Sequence, residues 1–149
     1  MSDTDLTILL VDDDPITVNV ATRVLKTVYP DVMLNVATDG IAAYRYIQGT
    51  GEYANRSAHP LPHLILLDIN MPRLTGLEFL CWLREQAPKE SRNMPVIIVS
   101  SSGIASEKES ARALGASYFF PKPIRWSDLC QTIESNRLLE SHPAPNPAP

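Results

Sequence analysis

Five side chains in this 149-residue chain stand where chemistry can be done. Asp12 and Asp13 follow the apolar run Leu6–Val11, and Asp68 follows Leu64–Leu67. Ser100 follows Met94–Val99, and Lys122 comes two residues after Tyr118-Phe119-Phe120. Short apolar runs bounded by breakers read as strands buried on both faces. In open parallel sheets, ligand chemistry lies just beyond the carboxyl ends of the strands. Three carboxylates, a hydroxyl and an ammonium would therefore converge in one crevice.

Carboxylates gathered in this way raise one another's pKa unless a cation sits among them. Hard oxygen donors suit Mg²⁺, which takes one or two carboxylates, keeps waters and completes its shell on phosphate oxygens. A metal there would screen the approach of a phosphoryl group to an anionic nucleophile and steady its equatorial oxygens. Carboxylates act as such nucleophiles, forming aspartyl-phosphates. Asp68, followed closely by the chain-turning Met71-Pro72, is the candidate nucleophile. Lys122 offers a mobile point charge to pair with Asp68 and then with a phosphate oxygen, and the Ser100 hydroxyl can bond a new phosphate oxygen.

The elements that must position these groups alternate strand and helix. Asp14-Pro15 reads as an N-cap with proline at the first helical position, and Ile16, Val20, Val24 and Val28 recur as one apolar stripe. Met33–Ala37 is a second strand, and Asp39-Gly40 opens a helix on Ala43, Tyr44 and Ile47. Gly49 to His63 has no period and reads as a long loop. Thr75 and Glu78 have capping-box spacing ahead of Phe79, Leu80 and Leu83. Ser106 and Glu109 read as a second capping box, with Ala111 and Leu114 facing inward and Gly115 as the stop. Trp126–Leu139 reads as the last helix, built on Leu129, Cys130 and Ile133. A β-α unit repeated five times predicts an α/β, doubly wound (βα)5 fold, with helices on both faces of a five-stranded parallel sheet and right-handed crossovers.

Composition narrows the partners. The net charge is −4 and no basic stripe appears, which argues against nucleic acid as partner. No signal peptide is visible, Met1–Asp5 being polar and acidic, and no apolar stretch approaches spanning length, so a cytoplasmic protein without a membrane is expected. Cys81 and Cys130 lack CxxC spacing and read as reduced core thiols. His59 and His63 sit in a proline-broken loop without a third ligand. Asp14 reads as a cap and nothing more.

These residues resemble the receiver domain of two-component response regulators. The motifs are Val11-Asp12-Asp13, Asp68-Ile69-Asn70-Met71-Pro72 with Gly76, Val99-Ser100-Ser101, and Lys122-Pro123. The resemblance covers residues 1–140 as the receiver (response regulatory) domain and leaves 141–149 as a disordered proline-rich tail. It implies a flavodoxin-like sheet of order 2-1-3-4-5 and a phosphoryl group accepted on Asp68 from a sensor histidine kinase. It implies that Asp13 and Asp68 ligate Mg²⁺ together with the backbone carbonyl of Asn70, while Asp12 acts through water or Lys122. It makes Lys122-Pro123 a cis peptide. Ser101 stands in the phosphate-facing loop, where a small residue such as alanine is usual. Ser100 and Phe119, the aromatic three positions before the lysine, correspond to the family's switch pair. On phosphorylation Ser100 moves toward the phosphate and Phe119 fills the space, changing the face of the fourth helix, fifth strand and fifth helix.

The Gly49–His63 loop is longer than in most receivers. With Gly51-Glu52-Tyr53-Ala54 it resembles the single-domain regulators that partner bacterial phytochrome histidine kinases. That narrower likeness implies a light-linked kinase and a homodimer through the face of the fourth helix, fifth strand and fifth helix, with Trp126, Leu138 and Leu139 as contact candidates; the switched face is expected to act on a downstream protein target or phosphotransfer protein. Three rival readings fit the residues less well. A phosphohydrolase with an aspartyl nucleophile needs a second acid where this chain has Asn70. A flavin protein needs an acid-free loop where this chain has Asp12-Asp13-Asp14. A scaffold working without phosphorylation would not need all five chemical positions filled.

Overall fold

A computed structural model describes residues 6–71, 74–101, 105–136 and 138. The strands are β1 (Thr7–Val11), β2 (Met33–Ala37), β3 (Leu64–Leu67), β4 (Val96–Ser100) and β5 (Tyr118–Pro121). The helices are α1 (Pro15–Val28), α2 (Gly40–Gln48), α3 (Gly76–Glu85), α4 (Ala105–Ala113) and α5 (Trp126–Ser135). All strand pairs are parallel and the order is β2-β1-β3-β4-β5, as the sequence implies.

Strand side chains alternate between faces, and that alternation builds two cores. Leu9, Val11, Ile65, Leu67 and Ile98 pack with Ala43, Tyr46, Phe79, Leu80, Leu83 and Ala111 of α2, α3 and α4. Ile8, Leu10, Leu64, Leu66, Ile97 and Val99 pack with Ala21, Leu25, Leu129 and Ile133 of α1 and α5. Every residue of β1, β3 and β4 is buried, so the central strands are apolar on both sides with no solvent face to alternate against. No helix among the described residues is long and apolar enough to cross a membrane.

Helix starts follow the local chemistry. Asp14 caps α1, its carboxylate accepting from the Ile16 N–H at 3.1 Å and from the Thr17 hydroxyl at 2.9 Å. Thr75 and Glu78 close the expected capping box on α3. Gly76, the first residue of α3, has no space for a side chain: a Cβ would collide with the Asp68 carbonyl. Glycine there lets α3 start directly against the end of β3.

Four boundaries differ from the sequence reading. Helix α4 already includes Ala105, which puts Ser106 inside the first turn, so Ser106 is not the N-cap of a second capping box. Helix α5 stops at Ser135, where Asn136 bonds back to Thr132, four residues short of the expected Leu139. Strand β4 begins at Val96 and takes in Ser100; the preceding Pro95 carries no N–H for the ladder. Strand β5 extends through Pro121, which is tolerated because β5 is an edge strand. Pro72, Leu139 and the 141–149 tail lie outside the described residues.

The aperiodic 49–63 segment is held by specific bonds. It contains a 3-10 turn at Gly51–Tyr53. The Arg56 guanidinium donates to the Tyr46 and Ile47 carbonyls, both at 2.7 Å, and so caps the end of α2. The Tyr46 hydroxyl donates to the Pro60 carbonyl at 2.7 Å and accepts from Asn35 at 2.8 Å. His59 packs its ring edge against Tyr46 and Tyr53, and His63 Nδ1 accepts the Thr7 N–H, so each histidine has a structural contact.

Candidate functional site

The ends of β1 and β3 are in register, Val11 opposite Leu67, so Asp12 and Asp68 leave the sheet side by side. Both remain on the ladder: the Asp12 N–H bonds the Ala37 carbonyl at 3.0 Å, and the Asp68 N–H bonds the Val11 carbonyl at 2.9 Å. Carboxylate oxygens of Asp12, Asp13 and Asp68 lie within 4.8 Å of one another. Asp12 and Asp68 are buried while Asp13 is exposed at the mouth.

Lys122 closes the other side. Its Nζ lies 2.9 Å from Asp12 Oδ2 and 3.5 Å from Asp68 Oδ2. The Lys122 main-chain N–H bonds the Ser100 carbonyl at 2.9 Å, which ties the end of β5 to the end of β4. The Lys122–Pro123 peptide is cis, as the resemblance implies. The first Asp12 oxygen is committed to local structure, accepting the Asp14 N–H at 2.9 Å.

The electrostatics are unbalanced. Among the described residues, three carboxylates face one ammonium, an excess of two negative charges. Burial, with Asp12 adding to it, pushes the Asp68 carboxyl up to about 6 against the opposing pull of the Asn70 N–H and Lys122. For Lys122, burial disfavours the ammonium, yet Asp12, Asp68 and Asp14 outweigh it and hold its pKa above the ordinary lysine value. A hard divalent cation would supply the missing charge, and the donor set of carboxylate oxygens fits one.

Ser100 is fully buried, and Asn70 Nδ2 donates to its Oγ at 3.0 Å. The Asn70 N–H in turn bonds Asp68 Oδ1 at 3.0 Å. Ser100 and Phe119 share a face of the sheet: Ile98, two residues before Ser100, is the register partner of Phe119. Phe119 is half-buried against the core of α2, α3 and α4, with the Lys108 ammonium 5.5 Å above its ring. Ser101 is exposed and opens onto a groove of about 570 Å³ lined by Ile16, Val20, Ile124 and Trp126 beside Lys122. Trp126 and Leu138 pack onto the α1/α5 core; Leu139 lies outside the described residues. Asp12, Asp13, Asp68 and Lys122 thus meet at one point, and Ser100 reaches them through Asn70. The sequence reading used Asn70 for its carbonyl; the reach of its amide to Ser100 depends on how β3 and β4 abut, which no spacing encodes.

Residues 8–134 match the family described as the response regulator receiver domain. The chain is 31% identical over 127 residues to the response regulator Rcp1 of Synechocystis sp., covering 85% of this chain and 83% of that protein. The Mn²⁺-bound structure of Rcp1 superposes with a TM-score of 0.78, covering 95% of this chain and 99% of that one. The phosphorylated cyanobacterial phytochrome response regulator RcpA is 25% identical, with a TM-score of 0.77 over 94% of this chain and 97% of its own. The bacteriophytochrome response regulator AtBRR is 28% identical, with a TM-score of 0.73 over 95% of this chain and 97% of its own. Because the matched span takes in all five strand–helix units that build the crevice, the chain belongs to the response regulator receiver domain family.

Proposed function

We propose that Asp68 accepts a phosphoryl group from a phosphohistidine on a sensor histidine kinase and that the resulting acyl phosphate switches the α4-β5-α5 face. The observation that carries this reading is the position of Asp68: at the end of a fully buried strand, beside Asp12, Asp13 and Lys122. An Asp68 carboxylate oxygen attacks phosphorus as the bond from phosphorus to the histidine nitrogen breaks, and the imidazole leaves with the bonding pair. Asp13, Asp68 and the Asn70 carbonyl would hold Mg²⁺, with Asp12 acting through water. When bound, the ion offsets charge on the carboxylates and on the phosphoryl oxygens. Lys122 moves its ion pair from Asp68 to a phosphoryl oxygen, a shift suited to a flexible ammonium already 3.5 Å from Asp68. Asn70 offers no acid two residues after the nucleophile, which supports a switch that keeps its phosphate over a phosphohydrolase.

Downstream, the Ser100 hydroxyl turns to the phosphoryl group, and Phe119, on the same face of the sheet, follows. Ser101 borders the phosphate from the adjoining loop. The face that changes would bind a downstream protein or phosphotransfer protein, or a second copy of the chain. RcpA and AtBRR are phytochrome-type response regulators by name, which supports a phytochrome-type kinase as donor.

Incubation with acetyl phosphate and Mg²⁺ should add one base-labile phosphoryl group by intact mass, and Asp68→Asn should abolish it. A label that persists in Asp68→Asn refutes the assignment.

A further inference from the structure

We infer that the side-chain amide of Asn70 is a latch on the switch: it holds the Ser100 hydroxyl in the resting orientation and sets how readily phosphorylation moves it. The inference rests on the reading of Asp68 as phosphoacceptor and assigns Asn70 a positioning role separate from its carbonyl.

Three features of the crevice argue for it. The Ser100 main chain is anchored: it is the last residue of β4, its carbonyl accepts the Lys122 N–H at 2.9 Å, and the residue is fully buried. Rotation about χ1 is then the freedom left to the hydroxyl. Serine lacks a γ-methyl, so packing does not select among its three staggered wells as it would for a β-branched residue. Hydrogen bonding then weighs in the selection, and the 3.0 Å bond from Asn70 Nδ2 to Ser100 Oγ is placed to favour the resting orientation.

Asn70 is itself anchored to the nucleophile. Its N–H bonds Asp68 Oδ1 at 3.0 Å, a turn two residues long that aims the side chain from the end of β3 across to β4. The same two-residue turn therefore joins the carboxylate that is modified to the hydroxyl that must move. To donate its proton to a phosphoryl oxygen on Asp68, the Ser100 hydroxyl must turn away from the amide that donates to it, and the charge-assisted bond it gains is stronger than the neutral one it gives up. The latch opens when phosphate arrives and holds when it does not. Asn70 is exposed whereas Ser100 is buried, so truncating Asn70 removes the latch without opening the core.

The test is a double-mutant cycle read by the affinity for beryllium fluoride with Mg²⁺, a mimic of the phosphoryl group. Asn70→Ala should tighten binding by roughly three- to tenfold, the size of one ordinary hydrogen bond released. In a Ser100→Ala background, where there is nothing to hold, the same substitution should change affinity less than about twofold, the coupling that the cycle isolates. The unbound Asn70→Ala protein should also show Phe119 ring resonances shifted part of the way toward their beryllium fluoride positions. Asn70→Ser, too short to reach Ser100 Oγ, serves as a second loss-of-donor variant and should behave alike. Equal effects in both backgrounds overturn the latch, since the amide then acts without Ser100; weaker binding on truncation overturns it too and means that the amide contacts the phosphoryl group itself. If the wild type binds no beryllium fluoride and takes no label from acetyl phosphate, the phosphoacceptor reading fails and the latch fails with it.

Discussion

The half-buried guanidinium of Arg84 and the buried carboxylates at Asp68 are built into the fold in opposite ways. Arg84, at the end of α3, sends Nε to the Leu114 carbonyl, Nη1 to the Arg92 and Met94 carbonyls, and Nη2 to the Gly115 carbonyl, all at 2.8–2.9 Å. Among the described residues it has no carboxylate partner; its charge is spread over four main-chain dipoles that join α3, the approach to β4 and the end of α4. The crevice at Asp68 instead crowds three carboxylates around one ammonium. The guanidinium is satisfied by the fold alone, and the carboxylates are not. A charge that the fold completes is a staple; an excess of charge among the described residues marks a candidate place for something outside the chain to bind.

The largest effect is expected at the staple. Arg84→Met keeps the apolar stem but strands four carbonyls at the α3–α4 junction, and should cost about 3 kcal/mol in urea unfolding without altering Mg²⁺ binding. Arg84→Lys should recover little, because an ammonium cannot span the fork of acceptors.

At the crevice the expected signature is pH dependence. The folded Asp68 carboxyl sits at about 6 against an ordinary aspartate value of 3.8, so between those values the folded state binds the proton more tightly than the unfolded one. Its contribution to stability is fully present below about pH 4 and lost as pH rises through about 6. In metal-free protein this amounts to at most roughly 3 kcal/mol, measurable as unfolding free energy against pH, and Mg²⁺ should flatten the profile. Lys122→Met removes the ammonium that pairs with Asp12 and Asp68. It should cost about 2 kcal/mol in metal-free protein at pH 7, and added Mg²⁺ should restore more stability than it adds to the wild type. The smallest effect belongs to the 49–63 segment: Tyr46→Phe leaves the Pro60 carbonyl unpaired and should cost about 1 kcal/mol in thermal unfolding, with phosphoryl labelling unchanged.

The sequence made the crevice readable and hid the staple, for a physical reason. Strands β1, β3 and β4 are short apolar runs that end in chemically distinctive residues, so chain order alone predicts that Asp12, Asp68 and Ser100 meet at one sheet edge. Arg84 looks from sequence like a solvated position near a helix end; its partners at Arg92, Met94, Leu114 and Gly115 come together only by packing. The same holds for Arg56, whose carbonyl partners turn an aperiodic loop into an ordered one. The Ser106 misreading has a local cause: the serine and glutamate have capping-box spacing, but the helix already includes Ala105. Asn70 falls between the two cases, since its place beside Asp68 is legible and its hold on Ser100 is not.

The claim that the fold leaves charge unbalanced at Asp68 is tested most directly by comparing the melting temperatures of wild type and Asp68→Asn at pH 7, with EDTA and with Mg²⁺. Removing one carboxylate relieves burial and repulsion, so the variant should be the more stable in EDTA, by about 1–3 kcal/mol. Mg²⁺ should then stabilise the wild type and leave the variant nearly unmoved. A variant that is less stable than the wild type in EDTA, with both proteins indifferent to Mg²⁺, would contradict the account.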